Sequence, residues 1–543
     1  MKQILIVGLF VSLIACSGSQ KAAQIPEANI LDFVETITTE GLKADLSVLA
    51  HDSLEGRDTG SKGLEKAAKY LTGRYKALGL TPVGDNNTYE QHFDVTTPIT
   101  NSYEYLLKDA NGAIIDHSKL TKTETGNFST IFGGSDNVSG DIVFVGLGIS
   151  DKETGVNQIP EDIAGKWLMM FSVQGVTNTR ALQQQMAKDG AAGVILIYTD
   201  GVEEFEKAVT SKQSSLGSRG RMSLAYMQSD EKKAPQQAWE RIHPELAVKL
   251  LGLETSTQLA ELSASIQEAP TTFEAKALNF SLEHKVDAEI ATVTTSNMVA
   301  FLEGSDPKLK DEVVVLSSHY DHVGIGRPDS TGDTIYNGAD DDGSGTTGVL
   351  NTAQAMIAAK NAGAGPRRSV LFLHVAGEEK GLLGSRYYSD HPIYSVENTV
   401  ANINVDMIGR VDKEHEDNKD FIYVIGGEII SSGLDSLLQA ANTASVNIDL
   451  SKRYNDLNDP NQFYRRSDHW NFGRLGIPFI FFFNGVHADY HRPSDQIENI
   501  EWGPLTKRTK LLYVTTAMIA NSDERPVVDN QEFIEKTKSQ SRN

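Results

Sequence analysis

Five short phrases in the second half of this 543-residue chain collect the side chains that bind hard metal ions and move protons. They are Ser318-His319-Tyr320-Asp321, Asn337-Gly338-Ala339-Asp340-Asp341-Asp342-Gly343-Ser344-Gly345, Ala376-Gly377-Glu378-Glu379-Lys380-Gly381, the aspartate Asp406, and Asp489-Tyr490-His491. Singly, each has a plain structural reading. A His-x-Asp pair is often a surface hydrogen bond, adjacent aspartates can cap a helix, and Glu-Glu after a strand is commonly a solvated turn. Together they require more. Carboxylates gathered in one crevice repel one another and resist desolvation unless a cation compensates them, and a metal ion is the simplest such cation.

The elements that must hold these phrases are legible around them. Residues 312–318, 368–376, 399–406, 421–425 and 479–483 are short, near-continuous apolar runs, and 345–359 has helical character. Apolar strands alternating with helices predict an α/β fold with a parallel or mixed sheet covered on both faces. Such sheets place their sites beyond the carboxyl ends of the strands, where four of the five phrases fall and the fifth opens a helix. Upstream, 28–38 and 44–50 read as helical. Ser61 can cap a helix that aligns Leu64, Ala67, Ala68 and Leu71 on one face. Residues 89–96 read as a strand. Between 128 and 275 lies a segment with the character of a separate domain: buried strands at 140–146, 166–171 and 192–198, a helix at 181–188, and a polar surface excursion over 203–240.

Composition narrows the function classes. Asp and Glu number 73 against 50 Lys and Arg, a net charge of −23. A nucleic-acid groove needs a basic patch, and none is evident beyond pairs such as Arg465-Arg466, which argues against nucleic acid as a partner. The single cysteine, Cys16, leaves no disulfide framework and no cysteine-based zinc cluster. It follows Met1-Lys2 and the apolar run 4–15, a match for a signal-peptide core, and Leu13-Ile14-Ala15-Cys16 resembles a bacterial lipoprotein processing box. The expectation is removal of residues 1–15, a lipid on Cys16 and a polar tether to about residue 28. That places the protein at the cell envelope, with Ser17 favouring the outer membrane, and limits membrane contact to the anchor.

The five phrases also resemble the M28 family of zinc-dependent peptidases, mostly co-catalytic di-zinc aminopeptidases. The resemblance begins near Gly56-Arg57-Asp58-Thr59-Gly60-Ser61, resumes at Ser296-Asn297-Met298-Val299-Ala300 and covers 319–500, while 128–275 resembles a protease-associated domain. It implies an α/β zinc-exopeptidase fold, a mixed central sheet flanked by helices, with an inserted β-rich protease-associated domain. The implied layout is a signal peptide at 1–15, a tether at 16–28, catalytic parts at 29–127 and 276–530, the insertion at 128–275 and a flexible tail at 531–543.

The resemblance further implies two zinc ions per chain and peptide substrates. One ion takes Asp341, Glu379 and His491; the other takes Asp341, His319 and Asp406. Glu378 matches the general base that activates a metal-bridging water, Asp321 the carboxylate that orients His319, and Tyr490 a donor to the developing oxyanion. The Asp341–Asp342 bond corresponds to a cis peptide in relatives. Relatives usually carry Asn at the position of Asp340 or Asp342, so extra negative charge there is expected to bear on metal choice. The implied activity is aminopeptidase. A carboxypeptidase on the same fold is the alternative and needs a cation for the substrate carboxylate, with Arg327, Arg410, Arg465 and Arg466 as candidates. A non-enzymatic envelope receptor or scaffold is the third reading. Among neighbouring residues, His322 is a weaker candidate for contact with the site, His469 reads as structural and His487 as a loop residue.

Overall fold

A computed structural model describes residues 29–538, apart from 125–129, 135–136, 152, most of 174–187, 198–201 and 229–237. The expected signal segment 1–15, Cys16 and its tether lie outside the described residues, as does most of the helix expected at 181–188.

Four strands form the centre of the molecule. In spatial order Phe479–Phe483, Thr399–Val405, Val313–His319 and Ser369–Val375 lie side by side, all parallel. Every residue in them is buried, including Asn402 and Asn404, so both faces of the sheet are covered. Successive side chains still point to opposite faces. Val314, Leu316 and Phe372 pack with the helices Thr39–Leu49, Lys62–Leu78, Gly345–Asn361 and Trp502–Asn521. Val313, Val315, Leu371 and Leu373 pack on the other face with Tyr388 and Phe472. Antiparallel strands flank the parallel core: Phe421–Gly426 beside Phe479–Phe483, and the end of Lys276–Leu302 beside Ser369–Val375. The expected mixed α/β architecture is present.

The strands Glu90–Asp109 and Lys276–Leu302 form a long antiparallel ribbon that leaves this body and enters a second core. There Tyr103, Tyr105, Leu107 and Leu282 of the ribbon pack with Trp167, Phe171, Ile195 and Leu246. The second core therefore reaches beyond 128–275, because the ribbon strands run on into it. Val138–Phe144, Trp167–Phe171, Gly193–Ile197 and Ala238–Ile242 are mutually parallel neighbours, accompanied by helices Val202–Ser214, Pro244–Leu251 and Ser256–Glu268. Residues 202–214, expected within a surface excursion, are helical because Phe205 and Val209 bury in this core. At the other end Gln531–Thr537, expected as the start of a flexible tail, is a helix anchored by buried Phe533. Among the described residues no helix is long and apolar enough to cross a membrane.

Candidate metal centre

The chemistry-bearing phrases converge at the carboxyl ends of the parallel strands. His319 is the last residue of its strand, Glu378 and Glu379 follow Ser369–Val375, and Asp406 follows Thr399–Val405. Asp341 lies in the turn that opens Gly345–Asn361, and His491 lies in the loop after Phe479–Phe483. Two of these positions are held in left-handed backbone, Met407 just after Asp406 (φ 55°) and His491 itself (φ 53°). The Asp341–Asp342 peptide is cis.

Asp341 stands between two histidine groups. Its Oδ1 lies 3.1 Å from His319 Nε2, which is also 3.5 Å from Asp406 Oδ1. Its Oδ2 lies 3.0 Å from His491 Nε2, which is equally 3.0 Å from Glu379 Oε2. These distances are short, yet His319 Nε2, His491 Nε2, Asp341 Oδ2, Glu379 Oε1 and Asp406 Oδ1 are buried without hydrogen-bond partners. Native interiors rarely leave such atoms unsatisfied, and each of the five residues expected as ligands carries one, as do residues elsewhere in the molecule. Imidazole nitrogens with carboxylate oxygens are a donor set suited to zinc. The residues fit a bound metal, and Asp341 directs one oxygen toward His319 and the other toward His491.

The electrostatics of the cluster have the same origin. Burial opposes charge on His319, but the carboxylates of Asp406 and Glu378 outweigh it and hold the imidazole well above its usual pKa. Burial likewise opposes charge on His491, and the neighbouring carboxylates of Asp341 and Glu379 carry it up to about 10. Glu379 is lowered to about 2: burial and Asp341 push it up, and the histidines His322 and His491 prevail.

The flanking aspartates do something else. Asp340 Oδ1 accepts from the amide of Gly409 at 2.6 Å and from the Ser344 hydroxyl at 2.9 Å. Asp342 accepts from the amides of His319, Gly345 and Met407 at 3.2, 2.9 and 3.1 Å. Their charge is spent on tying loops together, so the expected influence on metal choice is not direct ligation. The orienting role expected of Asp321 also shifts. His319 Nδ1 lies 3.0 Å from the backbone carbonyl of Asp321 and 3.7 Å from its carboxylate, which accepts instead from the Thr59 hydroxyl and the Glu378 amide.

Several supporting residues take roles that only their contacts reveal. Arg57 is buried and donates to the carbonyls of Tyr320, Leu49, Asn337 and Gly338 at 2.5–3.0 Å, joining the loops that carry His319 and Asp341. Arg508 braces the Asp406 loop through the carbonyls of Ile408 and Arg410. His487, expected as a loop residue, is buried with Nε2 3.2 Å from Asp340 Oδ2. A buried polar chain runs Asn402–Ser317–Asn404–Ser467 and ends on Asp406 Oδ2 at 2.9 Å. His469 is structural as expected, packed against Phe479 and Phe481, and burial depresses its pKa to about 3. Each hydrogen bond from a charged donor contributes about 1.5–3 kcal/mol, and orphaned carbonyls add to the loss. Arg57→Met is therefore expected to lower unfolding free energy by ~3 kcal/mol or more, measured by denaturant titration. A change below about 1 kcal/mol would show that the brace is redundant.

A pocket opens onto this cluster. Asp341, Glu378, Asp406, Ser467 and Tyr490 meet apolar walls from Met407, Phe463, Phe481, Phe483 and Val486, with Arg466 beside them. Burial, reinforced by Glu379, Asp468 and Asp406, pushes the half-buried Glu378 carboxyl well above its ordinary pKa despite His319. Burial, reinforced by Asp341, Glu379, Asp406 and Glu378, keeps the Tyr490 phenol protonated, and its ring stacks on His491 at 3.9 Å. Of the four arginine candidates, Arg410 pairs with Asp489 at 3.1 Å and Arg327 donates to Ser211. Arg465 bonds Gln462, and Arg466 lies over the Phe463 ring at 4.8 Å and lines the pocket.

Residues 297–516 match the model of peptidase family M28. The chain is 27% identical over 260 residues to aminopeptidase Y of Saccharomyces cerevisiae, covering 46% of this chain and 43% of that protein. It is 28% identical over 277 residues to a probable leucine aminopeptidase 2 of Aspergillus oryzae, covering 46% and 49%. The chain thus spans about half the length of the curated relatives it matches. Its fold is shared with a solved aminopeptidase from Aneurinibacillus sp. strain AM-1, at a TM-score of 0.51 and 19% identity, over 92% of this chain and 98% of that one.

Proposed function

From the match of residues 297–516 to the model of peptidase family M28, we propose that this chain is a zinc aminopeptidase that removes N-terminal residues from peptides. The observation that carries the reading is the set of unpartnered, buried donor atoms from His319, Asp341, Glu379, Asp406 and His491 beside a pocket lined by Glu378 and Tyr490. One zinc would be held by Asp341, Glu379 and His491, and a second by Asp341, His319 and Asp406. Bound zinc supplies Lewis-acid polarisation of the scissile carbonyl and a lowered pKa for the attacking water.

The chain's own groups do the rest. Glu378, whose proton affinity is raised by burial, takes a proton from the attacking water and returns it to the leaving amine. Tyr490 keeps its hydroxyl proton and donates to the carbonyl oxygen as negative charge develops there. The carbonyl of Asp321 keeps the proton of His319 on Nδ1, leaving Nε2 for the metal. The Phe and Met walls of the pocket suit an apolar first side chain. Arg466 at the wall supports the second reading, a carboxypeptidase that holds a terminal carboxylate. The box around Cys16, read from sequence alone, supports export and lipid anchoring at the cell envelope.

The test pairs metal analysis with two substrate sets, free-N-terminus peptides and the same peptides N-acetylated. Two metals with cleavage of the free set alone support the aminopeptidase. Release of residues from the carboxyl end of the acetylated set selects the carboxypeptidase, and absence of both metal and turnover selects the receptor.

Metal loading has a pH signature. Without metal, His319 and His491 hold protons at neutral pH, while ligation requires the neutral imidazole. Zinc binding at neutral pH should therefore release protons, and apparent affinity should rise with pH. Calorimetry in two buffers of different ionisation enthalpy reads this directly; a heat independent of buffer would refute it.

A further inference from the structure

His322 shares the signature of the ligand set without belonging to it by sequence. Its side chain is 0% exposed, with Nδ1 2.8 Å from Glu379 Oε1 and 3.7 Å from Asp341 Oδ2. Neither ring nitrogen makes a hydrogen bond, although the approach to Glu379 is within bonding distance. A short approach without hydrogen-bond alignment also describes His319 Nε2 and His491 Nε2 in the same crevice. It is the pattern of donors aimed at a common point rather than at one another. One atom each from His322, Asp341, Glu379 and His491 lies within 4.8 Å of all the others, whereas the second group holds only His319, Asp341 and Asp406.

The ring is also locked in place. The His322 amide donates to the carbonyl of Arg57 at 3.1 Å. On its other side the ring lies against Gly338, where a Cβ would come within 2.6 Å of His322 Cγ and Cδ2 and where φ is +58°. Only glycine serves at 338, and its absent side chain is the space the imidazole occupies.

Resting on the metal-pair reading of the site, we propose that His322 is itself a metal ligand, giving the ion held by Asp341, Glu379 and His491 a fourth protein donor. The two positions are then unequal. The four-donor position is nearly closed and fills first, and the three-donor position at His319 and Asp406 keeps the open coordination that water and substrate need. A histidine that only orients Glu379 would leave three donors on each side and no such asymmetry from the protein.

The experiment titrates the metal-free full chain with cobalt(II) and records the exchangeable imidazole N–H protons shifted by the paramagnetic ion. Each ligating histidine contributes one such signal. The first equivalent should give two, from His322 and His491, and the second should add His319. His322→Asn and His322→Ala should each reduce the first-equivalent set to one signal and weaken the first site at least tenfold, on the scale of lost metal partners. A single signal at the first equivalent of the unaltered chain overturns the proposal without any variant. So does a chain that binds no metal, which would overturn the function reading as well. Two signals from a chain that cleaves no peptide would uphold His322 and sink only the peptidase assignment. Peptide cleavage with a single signal would do the reverse.

Discussion

Glu378→Gln should lower kcat by about a hundredfold to ten-thousandfold, the span attributed to positioned general acid–base groups, while leaving both metals bound. The amide is nearly isosteric and cannot accept a proton from water at neutral pH. The carboxyl is positioned for that transfer by its place in the pocket and by the burial that raises its proton affinity. Its backbone amide stays bonded to Asp321, so the loop is not expected to move. The substrate KM should change little, because the loss falls on the transition state. Metal content by elemental analysis alongside steady-state kinetics checks this. Retention of more than about a tenth of kcat would remove Glu378 from the proton-transfer role.

Asp341→Asn should be the most damaging change at the metal positions, because it alone touches both. Its two oxygens face His319 and His491 respectively, and among the described residues no other supplies a donor to each side. The loss of Lewis-acid stabilisation amounts to several kcal/mol, on the order of a thousandfold or more in rate. Metal content should fall together with activity. The fold should persist, since the Asp341 amide bonds to Asp495 whatever the side chain. The neighbours provide the control. Asp340→Asn and Asp342→Asn retain a carbonyl oxygen that can accept from loop amides, and both should keep their metal, with losses showing mainly in stability. Equal metal loss in all three variants would mean that the triad acts as a diffuse acidic patch. Metal content distinguishes the two cases.

Much of this arrangement was legible in the chain itself. The runs ending at His319, Val375, Val405 and Phe483 read as strands because they are short and rich in apolar residues, as burial on both faces favours. Their alternation with helices set the sheet type, and hence the end of the sheet at which chemistry would sit. The identity of the five donor residues came from residue type, strand-end placement and family resemblance. Ser61 at the start of its helix is a local signal read over a few residues.

Tertiary structure decided what residue type could not. Asp340, Asp341 and Asp342 have the same chemistry, and only the fold turns the middle one into the crevice and the outer two onto backbone amides. The Arg57 bridge to Asn337, the Thr59 bond to Asp321 and the Asp495 bond to Asp340 join residues far apart in sequence. The ring of His322 fits because Gly338, brought up from another loop, lacks a side chain. The second core extends past its expected limits for a similar reason: two strands of one ribbon serve two cores, and no change of composition marks the crossing. Local pattern is set by each segment's own exposure to water, so the sequence by itself determined the strands, their ends and the donor types. Side-chain direction and partnership are set by contacts across the chain, which carry no periodic trace in it, and those only the folded structure decided.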